Sequence, residues 1–314
     1  APFRRIRGAC PQAAYKIKLT EEAAIMTKQE FQKLTENLLF LDGATGSNLM
    51  AQGMPRGICT ERWVIEHKDV IQKLQKAYIE AGSRIIYAPT FGGNRLNLRQ
   101  HGLENKIQEI NSTLVSYSRE IAENKAFVAG DITTSGQFVT ADGEYTYEDA
   151  FEMYKEQITI LKNAGVDLIA AETMINIEET LAAVDAANSV CDLPVMCTVT
   201  VEADGSIFSG GNAVEAAVAF ESAGAAAVGI NCSVGPDQLV SVIRNIREAV
   251  SIPVIAKPNA GMPVIDDQGN AVYSMNPADF AKHMQVLVKN GAGIIGGCCG
   301  TTPDFIREMK KLLG

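Results

Sequence analysis

The sequence predicts an α/β protein: a single (β/α)8 TIM barrel behind a short N-terminal extension. From residue 38 to the C-terminus, a short apolar run followed by a helical stretch recurs eight times. Eight such units in about 275 residues match this barrel in count and length. A doubly wound open sheet would want a dinucleotide glycine fingerprint after its first strand, and "DGATGSN" at 42–48 does not fit that spacing.

The strands are read first. The apolar runs are "LLFLDGA" (38–44), "SRIIYAPT" (83–90), "AFVAGDI" (126–132) and "DLIAAET" (167–173), then "PVMCTVTV" (194–201), "AAVGINC" (226–232), "PVIAKPN" (253–259) and "GAGIIGGCC" (291–299). Each is almost continuously apolar, as a strand buried on both faces must be. The segments between them read as helices. In "PDQLVSVIRNIREAV" (236–250), Leu239, Ile243, Ile246 and Val250 form one helical stripe. "NPADFAKHMQVLVKNG" (276–291) places Asn at the N-cap, Pro in the first turn and Gly past the end. "TTPDFIREMKKLLG" (301–314) opens in the same way. Long loops after the first and third strands are expected to fold over the top of the barrel. The domain division is 1–28, an N-terminal extension or expression remnant with basic residues and no acid until Glu21, and 29–314, the barrel.

Composition limits the function classes. With 46% hydrophobic and 21% charged residues the chain has ample core material, and its net charge of −9 is wrong for a nucleic-acid surface. No apolar stretch reaches the ~20 residues of a membrane span. Seven cysteines, dispersed through a long chain, do not read as a secreted disulfide framework. A cytoplasmic protein with available thiols is expected, and oligomeric state is not legible.

In such barrels chemistry sits at the carboxyl ends of the strands. The ends read here carry Asp42, Thr90, Asp131, Glu172, Asn231 with Cys232, Asn259, and Cys298 with Cys299. Three cysteines therefore meet at one mouth although Cys232 and Cys298 are far apart in sequence. Three thiolates suit a soft tetrahedral metal, Zn2+ by default, and three protein ligands leave a position for substrate. Such a centre favours binding a further thiol as its thiolate. Asp42 and Glu172 near it would suit a substrate ammonium. The three histidines, His67, His101 and His283, lie away from the strand ends, so a histidine base has little to build on. Cys10, Cys59, Cys191 and Cys197 read as small hydrophobic residues.

"LDGATGSNLM", "GINCSVGP", "KPNAG" and "GGCCGTTP" together resemble the homocysteine S-methyltransferase family, in particular the homocysteine-binding domain of cobalamin-dependent methionine synthases. The likeness runs from about residue 30 to the C-terminus, and "GGCCG" with an upstream "NC" is its most specific part. The resemblance implies a zinc ion held by Cys232, Cys298 and Cys299. Homocysteine would bind it through sulfur, and its thiolate would attack an activated methyl group to give methionine, with no protein nucleophile. It further implies that Asp42 and Glu172 hold the amino acid's ammonium, and that backbone amides around Gly43 and Ser233 meet its carboxylate. Asn259 would fill the open zinc position until substrate arrives. Methionine synthases carry folate, cobalamin and reactivation modules after this barrel, whereas this sequence stops at Gly314. The expectation is either an excised or separately encoded homocysteine module served by methylcobalamin on a partner domain or protein, or a stand-alone enzyme using a small onium compound such as betaine or S-methylmethionine. Two other classes stand beside this reading: a non-catalytic zinc or thiol redox module, and a phosphate-binding barrel lyase using Lys257 as base.

Overall fold

All eight expected runs form strands. The computed structural model describes residues 26–140, 143–266 and 271–314; most of the expected 1–28 extension, including Cys10, lies outside the described residues. The strands are β1 (Leu39–Phe40), β2 (Ile85–Tyr87), β3 (Phe127–Ile132), β4 (Leu168–Met174), β5 (Val195–Val199), β6 (Ala227–Asn231), β7 (Val254–Lys257) and, last in the barrel, β10 (Ala292–Ile295). They are hydrogen-bonded in the order β1-β10-β7-β6-β5-β4-β3-β2, every ladder parallel. The seam between β1 and β2 is closed by the Arg84 amide donating to the Phe40 carbonyl at 2.8 Å. One side chain extends that seam: the Tyr87 amide donates to Asp42 Oδ2 at 2.8 Å.

The interior follows from the two-residue period of a strand. Leu39, Leu41, Ile85, Ala129, Leu168, Ala170, Met196, Ala227, Ile255 and Ile294 form one buried cluster, the packed interior of the barrel. One step further along the same faces stand Asp131, Glu172, Thr198 and Lys257, and beyond Gly229 on β6 stands Asn231, all five buried. The lower layers are thus apolar and the top layer is polar. At the opposite end, helix α1 (Lys28–Leu34) closes the bottom with Met26, Phe31 and Leu34 packed on the interior cluster. Its start is a capping box between Thr27 and Glu30.

The outer helices cover the sheet as the apolar stripes require. Leu239, Ile243, Ile246 and Val250 are all buried, on and beside α10 (Val240–Ala249). Helix α11 (Pro277–Lys289) begins with the Asn276 side chain accepting from the Asp279 amide and Pro277 in its first turn. Helix α12 (Pro303–Leu313) has the same proline, but Thr302 makes no side-chain cap; the turn before it is held instead by Thr301. One pair of strands lies outside the expected set: β8 (Pro263–Ile265) and β9 (Ala271–Tyr273) pair antiparallel after β7, where the sequence shows only a proline- and glycine-marked loop. No helix among the described residues is long and apolar enough to cross a membrane.

Candidate functional site

The chain after β6 and the chain after β10 both turn sharply into the mouth. Cys232 follows Asn231 with φ of +50°, a left-handed conformation rare outside glycine and costing about 1–3 kcal/mol. Thr173, after Glu172 on β4, has φ of +57°. The buried Asn231 side chain holds the Thr173 turn by accepting from its amide at 2.8 Å and donating to its hydroxyl at 2.7 Å. Asn231 Nδ2 also approaches Cys298 Sγ at 3.9 Å. This residue stands at a strand end in the sequence, but nothing there signals that it braces both the β4 turn and a cysteine.

The adjacent cysteines are held by a different device. The Cys298 amide donates to the Pro258 carbonyl at 2.8 Å, and the Ala260 amide to the Cys299 carbonyl at 2.9 Å, docking the pair on the chain after β7. Thr301 closes the turn with its hydroxyl on the Cys298 carbonyl at 2.7 Å and accepts from the Ala44 amide at 3.1 Å. Glycine is required at Gly297 because a Cβ would lie 2.5 Å from Thr301 Oγ1. It is required at Gly300 because φ is +82° and a Cβ would strike the Tyr273 ring. The glycines around the cysteines therefore allow close approach on one side and a left-handed turn on the other.

The three Sγ atoms of Cys232, Cys298 and Cys299 lie within 4.8 Å of one another, with Cys232 and Cys299 at 3.5 Å. Without a metal these thiols share protons. Hydrogen bonds from Cys232 and Cys298 pull Cys299 down to about 3. The bonds Cys298 makes to Cys232 and Cys299, together with burial, push Cys298 well above the usual thiol range. Cys232 is lowered by its bond from Cys298, but its bond to Cys299 and its burial prevail and push it up to about 12. The other described cysteines behave as apolar residues: burial raises Cys59 to about 11 and Cys197 to about 12.

The cysteines open onto a cavity of about 990 Å3 lined among others by Asp42, Gly43, Asp131, Glu172, Lys257 and Tyr273. Ser233 and Asn259 are not on its wall; they lie behind Cys232. The Ser233 hydroxyl is tied between the Val201 amide at 2.9 Å and the Asn231 carbonyl at 3.0 Å. Asn259 Nδ2 donates to the carbonyls of Ser233 at 2.8 Å and Cys232 at 3.3 Å, which leaves its buried Oδ1 without a hydrogen-bond partner.

Asp42 and Glu172 do come together, but with a cation between them. Lys257 Nζ lies 3.2 Å from Glu172 Oε2 and 3.6 Å from Asp42 Oδ1, and 4.3 Å from the centre of the Tyr87 ring. Burial alone would lower Lys257, but Glu172 and Asp42 outweigh it and hold the ammonium charged well above its ordinary range. A lysine ion-paired to two buried carboxylates is a poor proton acceptor, which weighs against the lyase reading. Burial raises Asp42 to about 6 despite Lys257 and the Tyr87 amide. Of the histidines, His67 is spent on structure: its ring stacks on Trp63 at 3.9 Å between centroids.

Tyr273, Lys257 and Asp131 are among the wall residues to which sequence reasoning assigned no binding part. Tyr273 belongs to the unexpected β8–β9 hairpin, so no signal short of the fold could place it beside Cys299. Lys257, named only as a candidate base, could have been read as a counter-ion from its position: it stands at the top of β7, facing a mouth to which β1 and β4 bring two acids.

Comparison with known proteins agrees with this geometry. The homocysteine S-methyltransferase family model matches residues 39–313. The methionine synthase of Mycobacterium leprae is 29% identical over 296 residues, and that of Mycobacterium tuberculosis 29% over 294. Each alignment covers 88% of this chain but 24% of the relative, so the chain spans about a quarter of the length of these curated relatives. Among solved structures, the oxidised form of the Escherichia coli homocysteine methyltransferase MmuM superposes with a TM-score of 0.73 at 21% identity, covering 88% of this chain and 96% of that one. Its metallated form gives 0.72 at 19% with the same coverage. At these identities the structures speak for the fold, and the sequence match carries the assignment: this chain belongs to the homocysteine S-methyltransferase family.

Proposed function

We propose that this barrel is a zinc-dependent homocysteine S-methyltransferase unit that converts homocysteine to methionine. The observation that carries the reading is the convergence of Cys232, Cys298 and Cys299 from two strands that do not adjoin in the barrel. The donor set fits zinc: tetrahedral Zn–S bonds of about 2.3 Å put sulfurs about 3.8 Å apart, and the spacing here runs from 3.5 Å to at most 4.8 Å. When bound, zinc would lower the pKa of a coordinated substrate thiol and so supply a thiolate at neutral pH.

The chain's own groups do the rest. The Asn231 clamp, the Thr301 turn and the docking of Cys298 on Pro258 preset the three sulfurs, so little ordering remains when the metal binds. Asn259, anchored through Nδ2, has its carbonyl oxygen available beside Cys232 for the fourth position before substrate arrives. The carboxylates of Asp42 and Glu172 make the cavity wall anionic and orient the amino acid by its ammonium. Backbone groups near Gly43 and Ser233 are assigned to its carboxylate. No side chain is needed as a nucleophile.

The resemblance of the sequence to cobalamin-dependent methionine synthases supports a corrinoid methyl donor on a partner domain or protein over betaine or S-methylmethionine. The unpaired described thiols suit a reducing compartment such as the cytoplasm. The test is zinc analysis of the reduced protein followed by homocysteine titration with proton release recorded at neutral pH. One zinc and release of the thiol proton are expected; protein without zinc, or binding without release, refutes the mechanism. Turnover with methylcobalamin, betaine and S-methylmethionine then identifies the donor.

A further inference from the structure

We propose that Asp131 is a substrate-binding residue, taking the ammonium of the amino acid together with Asp42 Oδ1, which has no hydrogen-bond partner, while Lys257 stays on Glu172 as a fixed counter-ion. This rests on the homocysteine reading above and changes which carboxylates recognise the ligand.

Among the described residues the cavity wall carries four buried carboxylates, Asp42, Glu61, Asp131 and Glu172, against one buried ammonium, Lys257; Glu61 is already bonded to the Gly92 amide and the Cys59 thiol. Lys257 is nearest Glu172 and at hydrogen-bond distance from it alone. Asp42 Oδ2 is committed to the β1–β2 seam through the Tyr87 amide, and its Oδ1, at 3.6 Å from Lys257, has no hydrogen-bond partner. Asp131, at the top of β3, is 5% exposed and lines the cavity, and its Oδ1 is likewise buried without a partner. An unpaired buried carboxylate oxygen is costly to leave so. Asp131 accordingly rises well above the usual carboxylate range, through burial first and the nearby Glu172 charge second.

The two orphan oxygens belong to strands that flank β2, with the Tyr87 ring and Lys257 beside them. Strands two apart are separated by about 10 Å, and both aspartates reach from them into the same cavity, close enough for the Asp42 charge to act on Asp131. A primary ammonium has three N–H donors and one positive charge. It satisfies both orphan oxygens and offsets a charge that Lys257 leaves uncompensated. A neutral ligand does the first without the second.

The test compares homocysteine with 4-mercaptobutyrate, which keeps the thiol, chain and carboxylate but lacks the ammonium. Both are titrated into the zinc-loaded full chain by calorimetry, with zinc content measured alongside. In the parent protein homocysteine should bind more tightly. In Asp131→Asn that preference should fall about 10- to 100-fold, as expected for loss of one charge-assisted hydrogen bond, with zinc content and 4-mercaptobutyrate affinity unchanged. Asp131→Ser, which frees space rather than replacing the carboxylate with an amide, should lose the same preference and guards against a misfolded first variant. A preference retained in folded, zinc-loaded variants overturns the proposal for Asp131. A parent protein that takes zinc but binds neither thiol overturns the homocysteine reading instead.

Discussion

Replacing Lys257 by methionine removes the only ammonium set between Asp42 and Glu172, and the size of the effect can be worked from the structure. The two ion-pair distances are 3.2 and 3.6 Å, and the Lys257, Asp42 and Glu172 side chains are 3%, 2% and 11% exposed. Removing one partner of a buried ion pair costs about 3–5 kcal/mol, because the remaining charge is left uncompensated. The loss should depend on pH. Asp42 already has its pKa raised from 3.8 to about 6 in the folded protein. A carboxyl raised on folding binds more protons folded than unfolded. The stability it allows is therefore complete below about pH 4 and is lost as pH rises through about 6, some 3 kcal/mol for a shift of about two units. Without Lys257, which lowers Asp42, that carboxyl titrates higher still, so the variant's losses extend to higher pH. Urea unfolding of parent and Lys257→Met proteins, with reductant and chelator, should show a deficit of about 3–5 kcal/mol at pH 8 and below about 2 kcal/mol at pH 5. An equal deficit at both pH values, or one below about 1 kcal/mol at pH 8, refutes the argument that this trio is electrostatically coupled in the buried mouth.

Further outcomes follow from the site and from the barrel floor. Serine at Cys232, Cys298 or Cys299 should each abolish stoichiometric zinc retention in metal analysis, whereas Cys197→Ala, buried in the outer core, should retain it. Gly297→Ala would drive a methyl group into Thr301, whose hydroxyl ties the Cys298 carbonyl to the Ala44 amide; a loss of about 1–3 kcal/mol and weaker zinc binding in chelator competition are expected. Phe31→Ala empties the plug beneath the barrel and should cost about 3–5 kcal/mol in chemical denaturation while zinc stoichiometry stays at the parent value.

The strands were legible because burial on both faces leaves a continuous apolar run, and the repeat of eight such runs leaves little choice of closed architecture. The three cysteines were legible for the same reason: each ends a run, and strand ends of a parallel barrel share one face. The β8–β9 hairpin was not, since three-residue strands after one proline and one glycine carry too little periodicity to distinguish from a loop. Asp42 illustrates a partial reading. Its place at the mouth follows from "LLFLD", but one of its oxygens belongs to the β1–β2 seam, which a sequence cannot show because the partner amide is Tyr87, 45 positions away.

The amino-acid sequence by itself determined the barrel, the apolar strand interiors and the identity of the three thiols, because these depend on local pattern and on the rule that strand ends converge. Only the tertiary structure decided how charge is shared at the mouth. Lys257, Asp131 and Glu172 stand on the same inward register as the apolar layers beneath them. Whether an inward acid is paired, seam-forming or left for a ligand depends on distances across the barrel, between residues with no sequence relation. Electrostatic pairing in a buried site falls within a few ångströms, and that scale is set by closure of the sheet.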